Sequence, residues 1–75
     1  MPEAQRFLLY AEQNYAYAVL RPLQSAIRAR GGEARWFLAG NEINASWLQP
    51  DEHRLTDIDA VRAWAPEAVL APGNM

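Results

Sequence analysis

The first apolar positions in the chain form an unbroken run, Phe7-Leu8-Leu9-Tyr10-Ala11, with polar residues on both sides. A run of that length predicts a strand buried on both faces, as in a parallel sheet. Glu12, Gln13 and Asn14 follow as a polar turn, with Asn14 placed to cap a helix. Between residues 15 and 30 the spacing changes to threes and fours. Ala16, Val19, Leu20, Leu23, Ala26 and Ile27 then share one apolar stripe. Gly31 suits a left-handed C-terminal cap, and Arg28 and Arg30 favour the negative end of the helix. Pro22 interrupts this segment. Because the stripe continues across it, the pattern predicts one kinked helix.

Residues 33–39 hold Trp36-Phe37-Leu38 and predict a second buried strand, ended by Gly40 and Asn41. Residues 42–51 are irregular, with one helical turn expected at 45–48, and His53-Arg54-Leu55 reads as a very short strand. Thr56 is placed as an N-cap, with Asp57 and Asp59 near the positive end of a second helix that Pro66 stops. Ile58, Val61, Arg62 and Ala65 supply its helical spacing. Residues 68–71 predict a further strand, and Pro72, Gly73 and Asn74 a turn. Strands alternating with helices imply βαβ units on a parallel sheet. The expected fold is therefore α/β: a Rossmann-like three-layer partial domain with three to four parallel strands and two main helices. The chain stops soon after its last strand. Residues 1–75 are accordingly expected to be the N-terminal portion of such a domain, truncated from a longer protein.

Composition narrows the function classes. The 75 residues are 51% apolar, which suffices for one small core and not for two domains. Cysteine is absent, and His53 is the single histidine, so neither a disulfide framework nor a zinc site is expected. All seven basic residues are arginines, spread among nine carboxylates to a net charge of −2. That balance argues against nucleic-acid binding, which needs a basic excess on one face. The first apolar run is too short for a signal-peptide core or a membrane span, so a cytoplasmic location is expected.

Ligands of open α/β sheets sit beyond the carboxyl ends of the strands. Here that rim carries Glu12, Gln13, Asn14 and Tyr15 from the first loop, Asn41, Glu42 and Asn44 from the second, and Gly73 and Asn74 from the third. Glu12, Gln13, Asn14, Tyr15, Gly73 and Asn74 are the expected substrate-facing set. Each, taken alone, is more often an ordinary cap or turn residue than a ligand contact. Glu12 can orient a substrate hydroxyl or act as a base, or it can simply face the helix N-terminus. His53 has the chemistry of a general base, but its place after Pro50-Asp51-Glu52 reads as surface loop. Trp36 and Trp64 read as core, and Trp47 as either a lid or a partner surface. The first strand–helix turn lacks the glycines of a dinucleotide fingerprint and the lysine of a phosphate loop, so no pyrophosphate cradle and no cofactor are expected. No catalytic constellation or metal-ligand spacing stands out.

Several strings carry a resemblance. Residues 7–15 (Phe-Leu-Leu-Tyr-Ala-Glu-Gln-Asn-Tyr), Leu20-Arg21-Pro22-Leu23 and Ala34-Arg35-Trp36-Phe37-Leu38 resemble the start of bacterial CDP-glycerol glycerophosphotransferase-like proteins. Residues 48–55 and the terminal Val69-Leu70-Ala71-Pro72-Gly73-Asn74 look like the same stretch. The resemblance implies a two-domain architecture similar to B-type glycosyltransferases, in which an N-terminal Rossmann-like domain faces the acceptor and a C-terminal domain holds the nucleotide donor. It also implies that the family's catalytic histidines lie beyond this chain, so no catalytic residue is carried over. The remainder of the same polypeptide is then the main partner, in a full-length protein at the membrane periphery that builds cell-envelope polymer. The alternative is a small non-enzymatic α/β module for binding or dimerisation, stabilised by self-association.

Overall fold

The computed structural model describes residues 5–72. Strand β1 (Arg6–Ala11) leads into helix α1 (Tyr15–Ala29), then strand β2 (Glu33–Leu38). A 3-10 turn (Ala45–Trp47), helix α2 (Ile58–Trp64) and strand β3 (Ala68–Leu70) follow. Both pairings are parallel, and the order across the sheet is β2-β1-β3. The expected α/β class is thus the one observed, with β1 at the centre. The segment at His53-Arg54-Leu55 adds a rudimentary fourth strand. Trp36 N–H donates to the His53 carbonyl and Leu55 N–H to the Trp36 carbonyl, each at 2.8 Å, as a single parallel bridge on the outer edge of β2.

Alternation along β1 sets the layers. Leu9 and Ala11 point to one face, where they meet Ala16, Tyr17 and Leu20 of α1 and Trp36 and Leu38 of β2. Leu8 points to the other face, against Leu55 and Trp64, with Phe37, Ala60 and Val61 packed around them. The chain crosses from β1 outward to β2 and then back over β1 to β3. Two crossovers of the same hand running in opposite directions must put their helices on opposite faces. A three-layer arrangement results.

The buried side of α1 differs from the stripe read in the sequence. Ala16, Tyr17, Leu20 and Gln24 are buried, whereas Val19 and Leu23 remain 46% and 43% exposed and Ala26 is also exposed. Apolar spacing alone chose Val19 and Leu23 over Tyr17 and Gln24. The helix is rotated because the polar atoms of Tyr17 and Gln24 find partners beneath it, which makes their burial favourable. Pro22 lies within the helix, which runs uninterrupted from Tyr15 to Ala29. Its exit follows expectation. Gly31 has φ +81°, Gly31 N–H donates to the Arg28 carbonyl, and Gly32 N–H donates to the Ile27 carbonyl at 2.9 Å. These bonds complete a Schellman cap.

Of the two expected N-caps, the first keeps its position and the second moves by one residue. Asn14 occupies the cap position of α1 but makes no side-chain capping bond. The cap of α2 is Asp57, not Thr56: the Asp57 carboxylate accepts from Ala60 N–H at 2.7 Å. Val69 on β3 is 57% exposed. The helix register yields a direct test. Leu20→Ala should cost about 3 kcal/mol in urea unfolding, and Leu23→Ala less than about 1 kcal/mol. The reverse ranking would restore the stripe inferred from spacing.

Candidate functional site

With β1 central, the chain leaves its carboxyl end toward β2 on one side, and β3 pairs on the other. The order therefore reverses between β1 and β3, and such a switch point is where open α/β sheets leave a crevice. A cleft of about 370 Å³ lies there, lined by Tyr10, Glu12, Gln13, Tyr15, Ala71 and Pro72 among others. A second cleft of about 280 Å³ adjoins it on the β2 side, lined by Glu12, Gln13, Ala39, Gly40, Asn41 and Glu42. Glu12 and Gln13 belong to both.

Three of the expected rim residues, Glu12, Gln13 and Tyr15, line the first cleft. Tyr15 is about half exposed. The Tyr10 phenol, at the end of β1, is held above its ordinary pKa by Glu12 as a hydrogen-bond acceptor first, then by burial, then by the charge of that carboxylate. The exposed Glu12 carboxyl thus stands beside the Tyr10 phenol, and the oxygens of both are acceptors for hydroxyl groups. Asn14 does something else. Its Oδ1 accepts from Asn44 N–H at 2.7 Å, while the Tyr17 hydroxyl donates to the Asn44 carbonyl at 2.8 Å. Asn44 Oδ1 in turn accepts from Ser46 N–H and the Ser46 hydroxyl. Asn14 and Asn44 therefore fasten the second loop to the start of α1. Gln13 Nε2 donates to Glu42 Oε2 at 3.2 Å and links the same two loops at the rim. Gly73 and Asn74 lie outside the described residues.

The most fully bonded buried carboxylate has no signature in the sequence. Glu52 is buried, and its side chain is 1% exposed. Arg21 grips it in two places, with Nε donating to Oε2 at 3.1 Å and Nη2 to Oε1 at 2.9 Å. Gln24 Nε2 donates to Oε2 and Gln49 N–H to Oε1, both at 2.8 Å. Gln24 Oε1 accepts from the Trp36 indole N–H at 2.8 Å, so the chain of bonds runs from loop to helix to sheet. Arg21 Nη2 also donates to the Trp47 carbonyl, and its guanidinium lies 4.9 Å from the Tyr17 ring centre. Burial pushes the Glu52 carboxyl upward, but the bonds from Arg21, Gln49 and Gln24 and the Arg21 charge outweigh it and bring the pKa down to about 2. Trp47 is half exposed and its ring packs against Tyr17 at 5.7 Å, covering this cluster from outside.

The opposite end of the sheet has a different character. A cleft there is lined by Arg28, Glu33, Arg35, Asp51 and His53, with Arg28 Nη1 paired to Asp51 Oδ2 at 3.1 Å. His53 is exposed in its loop, as the sequence implied. Among the described residues no group of histidines and carboxylates could hold a metal ion, and no helix is long and apolar enough to cross a membrane. Comparison with protein families, with characterised proteins and with solved structures finds no match to this chain.

The Glu52 network carries a pH signature. Its folded pKa of about 2 lies below the ordinary 4.5, so its contribution is fully present above about pH 5 and is lost as pH falls toward 2. The shift corresponds to about 3 kcal/mol. Urea unfolding of the native chain should therefore weaken by that order between about pH 5 and pH 2. Glu52→Gln should flatten this part of the profile and lower stability at pH 7. An unchanged acid profile in that variant would remove Glu52 from the account.

Proposed function

We infer that the chain is the acceptor-facing part of a transferase, with the cleft between the carboxyl ends of β1 and β3 receiving a hydroxyl-bearing acceptor. One observation carries the reading: a carboxylate and two tyrosines, Glu12, Tyr10 and Tyr15, line a cleft at the switch point of a parallel sheet. Glu12 would accept a hydrogen bond from an acceptor hydroxyl, and the exposed Tyr15 ring offers an apolar face to a polyol or sugar. The glycine-free turn between β1 and α1 leaves no cradle for a pyrophosphate. In this reading the activated nucleotide donor, with CDP-glycerol as the class suggested by the sequence resemblance, is held by the remainder of the same polypeptide. The reacting groups lie there too, and Glu12 has the part of orienting the acceptor.

A second reading is a self-associating α/β module without chemistry. What favours it is the exposed row Tyr15, Val19 and Leu23 along α1, together with exposed Val69 on β3. Light scattering on the purified chain separates the two: a stable dimer whose association is abolished by Leu23→Gln supports the module.

Amide NMR of the ¹⁵N-labelled chain tests the transferase reading. A neutral monosaccharide, glucose, should shift the amides of residues 12–16 and Ala71. Glu12→Gln should weaken that binding by about tenfold, in line with a hydrogen bond to a charged group. CDP-glycerol binding tighter than glucose to the same amides would overturn the assignment of this cleft to the acceptor.

A further inference from the structure

Cations are unevenly placed between the clefts at the two ends of the sheet. Among the described residues neither cleft at the carboxyl end has an arginine or histidine in its lining, and the chain has no lysine. Both are lined by carboxylates, Glu12 in the first and Glu12 with Glu42 in the second. Arg28, Arg35 and His53 line the cleft at the amino end, beside Glu33 and Asp51. A phosphate group entering the rim would meet two carboxylates and no cation to offset them, which is unfavourable at short range. Hydroxyl groups meet no such penalty. The rim offers them carboxylate oxygens together with the side-chain amides of Gln13 and Asn41.

The two clefts also share a wall. Glu12 and Gln13 line both, and Gln13 Nε2 donates to Glu42 Oε2 at 3.2 Å, so the polar groups of one cleft continue into the other. The second loop that forms the far side is held in place. Asn14 and Tyr17 bind the amide and carbonyl of Asn44, and Arg21 and Gln24 bind Glu52. Ligand pockets usually measure about 300–1,000 Å³. At about 370 Å³ the first cleft is at the low end of that range and at about 280 Å³ the second falls just below it, each sized for one small unit.

We propose that the two clefts form one continuous subsite pair for a linear, phosphate-free polyhydroxylated chain of at least two units, with Glu12 at the junction and Glu42 contacting the second unit. This rests on the acceptor reading above and extends it from a hydroxyl-bearing group to a substrate class. Glu12 and Glu42 act as specificity residues that admit neutral units and turn away phosphorylated ones.

The test is amide NMR titration of the ¹⁵N-labelled chain with glucose, maltose and glucose 6-phosphate. Maltose should shift residues 12–16 and Ala71 and also the amides of residues 39–42, and should bind about tenfold more tightly than glucose. Glucose should leave residues 39–42 unmoved. Glu42→Gln, an exposed position where the amide oxygen can still accept from Gln13, should bring maltose close to glucose while leaving glucose itself unchanged. Glucose 6-phosphate should bind several-fold more weakly than glucose, with the gap narrowing in Glu12→Gln. Equal affinities for glucose and maltose with residues 39–42 silent would overturn the paired subsites and leave the acceptor cleft standing. Tighter binding of the phosphorylated sugar would overturn the charge selection. Shifts from none of the three sugars at residues 12–16 would overturn both this proposal and the reading beneath it.

Discussion

A carboxylate removed from water must be answered by donors, and Glu52 is answered on every side. Arg21 and Gln24 come from the middle of α1, Gln49 N–H from the loop itself, and Trp36 completes the line through Gln24 into the sheet. The geometry fixes three things together: the rotation of α1, the course of residues 39–55 across it, and the orientation of the largest core side chain. Removing one member of such a group leaves the others buried without partners, which is costlier than the loss of the bond itself. The Arg21 guanidinium meets the carboxylate at two points, a geometry that lysine cannot reproduce.

That network also accounts for the limits of what the sequence revealed. Strand and helix identities were legible because runs such as residues 7–11 and the break at Pro66 signal locally. The three strands, both helices and the turn near Trp47 all occur where the pattern set them. The buried face of α1 was not legible. Gln24 looks like a surface residue until Trp36 and Glu52 are known to lie under it, and those partners are 12 and 28 residues away in the chain. Local spacing has no access to such separations. The Asp57 cap was displaced by one position from Thr56 for a simpler reason, since both residue types cap helices well.

The rim was partly legible. Placing it needed only the rule that parallel sheets bind at their carboxyl ends, and Glu12, Gln13 and Tyr15 lie there together. The strand order is what distinguishes the β1/β3 crevice from the rest of that rim, and order across a sheet depends on pairing that no single strand encodes. Asn14, grouped with its neighbours by sequence, is occupied in holding Asn44. That no arginine among the described residues lines either rim cleft was likewise invisible in the one-dimensional charge pattern, where the arginines are spread along the chain.

The grip on Asn44 has a mechanical consequence. Both backbone polar groups of that residue are held by side chains of the first turns around α1, so the loop after β2 is carried by the helix and does not swing by itself. A guest entering the rim would find this loop already tied to the helix and would forfeit little configurational freedom of the host on arrival. Discrimination between guests would then come from the fit of preset surfaces, and not from a flap closing over whichever one is present.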